Sequence, residues 1–365
     1  MKITTIGIDL AKNVFAVSAA DARGKVVLRK QLRRGQVLEF MHQLAPCVVA
    51  MEACGGSHYW ARALGKLGHE VRLLSPARVR PYRHGSKHDS NDADAICEAA
   101  RRPEMRYVAV KSVAQQDQLA LHRIRAQLIK QRIAHSNQLR ALLHEHGITA
   151  RLGAAGLRQA LTRALQDEDN ELSAVMREQL CELSTWERES EQRIAALTAR
   201  IARAAKQDER CVRLLEVPGV GPLSASALVA TVGNAREFKS GRELSAFLGL
   251  TPRQHSSGGK TVLLGISKHG DRYLRTLLIH GARSLLYRKH RSAHPRARWA
   301  ARLLARRGPN VAAVALANHN ARLLWALLSR GERYRSVCPP SGFPPRPSTV
   351  VRRATSENCS VGKPE

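Results

Sequence analysis

The stretch from Lys87 to Arg102, KHDSNDADAICEAARR, sets Asp89, Asp92 and Asp94 within six residues of a chain that carries 30 acids against 60 Lys and Arg. Like charges this close repel, and a fold tolerates them when something positive neutralises them; a divalent cation is the usual means. Two further acids stand where an α/β sheet collects ligands. Asp9 ends the apolar run in IGIDLAK and Glu52 the one in VVAMEACGG, and ligands of open α/β sheets gather beyond the carboxyl ends of strands. Asp89 and Asp92 share a helical face by their i,i+3 spacing, whereas Asp94 points off it. Asp9, Glu52, Asp89 and Asp92 are therefore the candidate metal ligands, an oxygen-rich set suited to Mg2+ or Mn2+. Two such ions roughly 4 Å apart can clamp the attacking and leaving oxygens of a phosphodiester. Each acid alone has a plainer reading: a turn cap for Asp9, a solvated strand end for Glu52, an N-cap or first-turn acid for Asp89 and Asp92. An EF-hand is excluded, because the run lacks the central Gly and the twelfth-position Glu.

Those acids need a sheet to hold them, and the first 108 residues alternate strand and helix signals. Thr4 to Leu10, Val14 to Ala19 and Lys25 to Arg29 read as three strands in hairpin order. A helix through Phe40 and Leu44, a strand at Cys47 to Ala53, a helix from Ser57 to Leu67 closed by Gly68, and a strand at Val71 to Leu74 stopped by Pro76 follow. This order predicts a mixed sheet covered by helices, an α/β domain over 1–108. Over 109–208 strand signals vanish, and Leu121, Ile124 and Leu128, then Leu139, Leu142 and Leu143, then Ile194, Leu197 and Ile201 recur at helical spacing. Two long helices, an antiparallel coiled-coil spacer, are expected there. Residues 209–330 mix helices with Gly-rich loops into a mainly helical domain, and 331–365, with CPPSGFPPRPSTVVRR, reads as a disordered tail.

The composition names a partner class. A formal charge of +30 on 365 residues favours a polyanion, since each phosphate met by Lys or Arg releases bound counterions. Between Glu243 and Glu332 the only acid is Asp271, while Arg283, Arg288, Lys289, Arg291, Arg296, Arg298, Arg302, Arg306 and Arg307 crowd together, which predicts a phosphate-facing surface. No apolar run of the roughly 18 residues a spanning helix needs is expected, and no signal peptide follows Met1, so the reading is cytoplasmic with no membrane partner. Seven cysteines without a CxxC pair argue against both a disulfide framework and a zinc site.

Two motifs in the second half carry chemistry. In VPGVGPLSASALVATVG, Pro218-Gly219-Val220-Gly221 reads as the turn of a helix-hairpin-helix whose amides can approach phosphate, with Leu223 to Val229 beginning the second helix. An ordinary Gly turn is the equal alternative, and either way Gly219 and Gly221 serve backbone geometry. TPRQHSSGGKTVLLGISKHG reads by composition as a flexible Ser/Gly loop.

IGIDLAK, MEACGG and KHDSNDADAI, followed by LLEVPGVGPLSASALVATVG and FLGLTPRQHSSGGKTVLLGISKHGDRYLRTLLI, resemble the DEDD-type insertion-sequence transposases, the family typified by insertion sequence one-ten. The likeness covers about residues 1–330, with both halves in order. It implies a RuvC-like domain of the ribonuclease H fold, with Asp9, Glu52, Asp89 and Asp92 as the metal tetrad. It also implies a serine nucleophile that joins covalently to DNA, at Ser257 rather than Ser256, with Arg253, His255, Lys260 and Lys268 as candidates for the scissile phosphate. Members are expected to act as homo-oligomers, dimers or tetramers, in which the metal domain and serine loop of different subunits meet. The resemblance further implies that a non-coding bridge RNA directs them to donor and target DNA. Cys54 stands where Thr is expected, and the Pro-rich tail has no family role. The implied activity is cutting and rejoining of DNA strands. The alternatives are a metal-dependent junction-resolving nuclease without a serine adduct, and a non-catalytic nucleic-acid-binding repressor.

Overall fold

The structure is a computed structural model and describes residues 2–86, 88–287 and 295–335. β1 (Thr5–Asp9) pairs antiparallel with β2 (Val14–Ala20), and β2 with β3 (Val26–Arg33), a strand that runs to Arg33 with Arg29, Lys30 and Arg33 exposed. After α1 (Val37–His42), β4 (Val48–Glu52) lies parallel to β1. After α2 (Ser57–Lys66), β5 (Glu70–Leu74) lies parallel to β4. α3 (Pro76–Val79) and α4 (Asp89–Ala100) lead to β6 (Tyr107–Val108), an antiparallel edge strand absent from the sequence reading because two residues carry no period. The sheet order is β3-β2-β1-β4-β5-β6, mixed as expected and consistent with a ribonuclease H-like domain.

Strand alternation divides the sheet into two faces. Ile6, Ile8, Val49, Met51 and Leu73 pack with Phe15, Trp60 and Leu64 on the side of α1 and α2. Ala50 and Leu74 face the other way, against Ala95, Ile96 and Ala99 of α4. Gly7 belongs to this second face: a Cβ there would meet the Ala93 carbonyl oxygen at 2.4 Å and the Cys97 nitrogen at 2.5 Å. The backbone of α4 therefore lies directly on β1, and any side chain at position 7 would lift it. Cys97 reaches the Thr5 carbonyl at 3.7 Å while Ala93 lies over Gly7, so α4 runs antiparallel to β1 and its first turn sits at the carboxyl end of that strand.

The segment expected to be a spacer forms α5 (Val113–Glu145), α6 (Ala154–Gln166) and α7 (Ala174–Gln207). Arg125 Nε donates to Thr198 Oγ1 at 2.7 Å and Ser136 Oγ to Glu187 Oε1 at 3.0 Å, pairings that run in opposite directions along α5 and α7 and make them antiparallel. α6 is a third helix the periodicity missed; Leu157, Leu161 and Ala164 pack with Leu139, Leu143, Leu180 and Leu183 to form the core of that end.

α8 (Glu209–Leu215), α9 (Pro222–Val232) and α10 (Gly241–Phe247) precede β7 (Pro252–Ser257) and β8 (Lys260–Ile266), and α11 (Arg272–Tyr287), α12 (Pro295–Arg307) and α13 (Pro309–Arg330) complete the domain. Three expectations change here. The Ser/Gly segment is an antiparallel hairpin rather than a loop: Lys260 to Leu263 pair with Gln254 to Ser257 across a two-glycine turn. The helix after the Gly turn starts at Pro222, the residue whose fixed φ suits a first helical position. And one helix, α13, is long and apolar enough by length and composition to cross a membrane, contrary to the expectation. Its apolar side is occupied: Ala312, Leu316, Ala317, Ala321 and Leu324 are fully buried in the core with Leu228, Leu244 and Leu278. The expected tail, from residue 336 on, and Arg288, Lys289 and Arg291 lie outside the described residues.

His122 of α5 ties the spacer to this last domain. It is buried, with Nδ1 at 3.0 Å from the Tyr273 hydroxyl and Nε2 at 3.2 Å from the Ser226 hydroxyl. Neither partner is an anion, and burial, with Arg125 adding to it, pushes the imidazole down to about 4. An unfolded histidine titrates near 6.5, so as pH falls from about 6.5 towards 4 the unfolded chain takes up a proton that the folded one refuses, and stability present above pH 6.5 is lost. Urea unfolding at pH 7.5 and pH 5 should show a loss in the wild-type protein that His122→Gln reduces by about 2 kcal/mol. An equal loss in both would place the acid sensitivity elsewhere.

Candidate functional site

Two residues beyond Gly7 on β1 is Asp9, and two beyond Ala50 on β4 is Glu52; by alternation both carboxylates project on the face covered by α4. Their proximity is visible in Cys54, whose thiol is pushed up by burial first and then by Glu52 and Asp9. The first turn of α4 lies at the same end. Its N-cap is His88, which accepts from the Ser90 amide, so Asp89 and Asp92 are both first-turn acids, favoured by the helix dipole. Asp89 is exposed, and Asp92 is half-buried with its Oδ1 at 3.4 Å from Arg83. Asp94 turns the other way, where Arg29 of β3 grips both carboxylate oxygens at 2.9 to 3.2 Å and ties α4 to the sheet edge. Sequence reading missed both arginines, since neither lies near its aspartate in a periodic element.

In donor chemistry the four acids suit a hard divalent ion: all are carboxylates, and they share one face and one end of the sheet. In spacing they are not assembled. Among the described residues no three Asp, Glu, His or Cys side chains stand close enough together to hold one ion, and Arg83 supplies the positive charge beside Asp92.

The serine hairpin is a separate two-stranded sheet with an exposed tip. Ser257 pairs with Lys260 across Gly258 and Gly259, both at positive φ (53° and 77°), so the turn is one that only glycines adopt easily. Ser256 Oγ accepts from Gln254 Nε2 at 2.8 Å; Ser257 makes no side-chain hydrogen bond among the described residues. Arg253, His255 and Lys260 are exposed on the same hairpin. Lys268 has φ 57°, the only non-glycine residue among those described with positive φ, in a loop wedged so tightly against the end of α10 that a Cβ on Gly270 would meet the Phe247 carbonyl at 1.8 Å. A strained lysine at a loop corner is a feature often found at binding sites.

The turn before α9 has a packing role. Gly219, at φ 85°, lies against Gly281 of α11, where a Cβ would stand 1.9 Å from the Gly219 carbonyl, and Asn320 donates to the Pro218 carbonyl at 3.1 Å. Gly221 is not required for geometry: its φ of −103° suits any residue and a Cβ there meets nothing. Arg302, Arg306 and Arg307 are exposed on α12. α12 and α13 border a groove of about 1720 Å³ beside the base of the hairpin, lined by Arg298, Arg302, Arg322 and Arg330 with Trp299 and His319. Arg296 is drawn inward instead, to Asn320 Oδ1 at 3.3 Å, and burial lowers its pKa.

Two family profiles match the chain, a DEDD transposase of the IS110 type over residues 6–148 and the transposase IS116/IS110/IS902 family over residues 211–299. A probable family 20 transposase of Pseudomonas aeruginosa is 52% identical over 92% of this chain and 99% of its own length. The transposase for insertion sequence element IS1111A of Coxiella burnetii is 44% identical over 91% of this chain and 92% of its own. The transposase for insertion sequence element IS1328 of Yersinia enterocolitica is 39% identical over 90% and 98%. The carboxylate end of the first domain and the hairpin of the last fall within the two matched segments, and the chain belongs to the IS116/IS110/IS902 family of insertion-sequence transposases, enzymes that act on DNA strands.

Proposed function

We propose that this transposase cuts and rejoins DNA strands with Asp9, Glu52, Asp89 and Asp92 as a divalent-metal site and Ser257 as nucleophile. The observation that carries the reading is the convergence of Asp9 and Glu52, on neighbouring parallel strands, with the first turn of α4 at one end of the sheet. Those four carboxylates would hold Mg2+ or Mn2+, and the ion would neutralise charge on a phosphodiester. For the set to close, Arg83 must release Asp92.

Ser257 is the better placed of the two serines, because Ser256 is engaged by Gln254. Attack by Ser257 Oγ on phosphorus forms an O–P bond and breaks the bond to one deoxyribose oxygen; the hydroxyl proton ends on that leaving oxygen. The phosphodiester is exchanged rather than hydrolysed, so rejoining to another end needs no further energy source. Gly258 and Gly259 let the tip approach the DNA backbone, and Arg253 and Lys260 offset the charge developing on phosphate. The exposed tip, with Val262, Leu263 and Leu264 each 46 to 48% exposed on β8, suits engagement with a second copy of the chain, consistent with a homo-oligomeric site. A net charge of +30 accommodates a guide RNA together with donor and target DNA, and a place on the nucleoid in the cytoplasm.

Two variant pairs test the assignment. Ser257→Ala should bind DNA yet form no denaturation-resistant protein–DNA adduct and no recombinant product, whereas Ser256→Ala retains both; normal adduct yield from Ser257→Ala contradicts the nucleophile. Asp92→Asn should abolish recombination and leave the fold intact. Asp94→Asn, which weakens a partly exposed ion pair with Arg29, should keep activity and cost about 1 kcal/mol or less in urea unfolding. Equal damage from both would reassign the fourth ligand.

A further inference from the structure

Where the chain leaves the sheet for the spacer, cations gather without an acid paired to them. His58 lies in the first turn of α2, and its Nδ1 accepts the backbone N–H of Lys111 at 3.2 Å. In a neutral imidazole this fixes the ring proton on Nε2. Nε2 is 3.3 Å from Lys111 Nζ, so two donors face each other. One turn along α2, Arg62 donates to the Lys111 carbonyl at 2.6 Å and to Gln116 Oε1 at 2.7 Å, and Arg123 of α5 adds its charge. Asp271 and Glu237 are the carboxylates whose fields reach Lys111, yet among the described residues none of Lys111, Arg62 and Arg123 forms an ion pair.

The helix adds to the imbalance. α2 has Gly56 as N-cap, no capping side chain and no acid in its first turn, so nothing on it offsets the positive end of its dipole. Burial, and then the neighbouring cations, push His58 down to about 4. Burial, and then Arg123, hold Lys111 below its ordinary value. In the free protein no ion pair among the described residues relieves this donor–donor contact; a bound anion would relieve it.

We infer that His58, Lys111, Arg62 and Arg123 form a seat for one backbone phosphate of a nucleic acid. A phosphate oxygen between the ring N–H and the Lys111 ammonium converts the donor–donor contact into two charge-assisted hydrogen bonds, with Arg123 and the start of α2 supplying longer-range attraction. The seat follows directly on the loop that leaves Glu52, so a strand held here passes the carboxylate end of the sheet. The inference rests on nucleic acid as the substrate and not on the metal or serine chemistry.

Binding of the full-length protein to a short DNA duplex and to a single-stranded RNA of equal length, measured over a range of salt, tests it. Lys111→Met should flatten the slope of log affinity against log salt by about 0.9 on the duplex or about 0.7 on the single strand, one phosphate contact. Lys111→Arg should restore the slope. His58→Gln, which keeps an acceptor for the Lys111 amide, should weaken binding roughly tenfold. An effect on the duplex alone assigns the phosphate to DNA, and on the RNA alone to RNA. Wild-type slopes for Lys111→Met on both, or wild-type affinity for His58→Gln with an unchanged melting temperature, overturn the inference.

Discussion

The first domain depends on one close approach, the backbone of α4 lying on β1 at Gly7. Because position 7 has no Cβ, the Ala93 carbonyl and Cys97 amide occupy space that any side chain would fill, and the small residues Ala93, Ala95, Ala99 and Ala100 let the rest of the helix settle on the sheet. The approach fixes both the direction of α4 and its height above the strands. A methyl group on Gly7 would raise the helix by more than a flexible side chain could absorb, and the first-turn aspartates would leave the strand ends with it.

The electrostatics of that end follow from the placement. Acids are scarce in this chain, and those gathered near α4 are managed individually: Arg29 holds Asp94 to the sheet edge, Arg83 stands beside Asp92, and Glu52 and Asp9 add to the desolvation that raises the Cys54 thiol. Elsewhere the problem is inverted. Cations outnumber acids around Lys111, on α12 and along the hairpin, and a polyanion complements all of these places together. Buried His122, held between two hydroxyls, joins spacer and last domain without a charge, which keeps that joint insensitive to salt but exposed to acid.

Much of this was legible in the sequence, and the misses have physical causes. The strands ending in Asp9 and Glu52 could be read because one face of each is continuously apolar, and the i,i+3 spacing of Asp89 and Asp92 needs no tertiary information. β6 is too short to carry a pattern. The serine hairpin was hidden by composition, since Ser and Gly signal flexibility even where the residues that follow them, Thr261 to Leu264, supply a partner strand. α13 escaped because its apolarity is alanine-rich and interrupted by Asn318, His319 and Asn320, residues that turn out to bind backbone carbonyls and line a groove. Gly221 illustrates the reverse error: a glycine credited with a conformational role where the backbone is ordinary extended chain. Arg83 and Arg29 come from other segments of the fold, which no local spacing reveals.

The proposed chemistry requires Asp9, Glu52 and the first turn of α4 to make one divalent-metal site. Titration of Mn2+ into the full-length protein, followed by calorimetry, measures it most directly. Saturable binding is expected in the wild-type protein, lost in both Asp9→Asn and Glu52→Gln and strengthened when Arg83→Ala removes the competing charge beside Asp92. Binding of equal affinity in the wild-type protein and both carboxylate variants would contradict it.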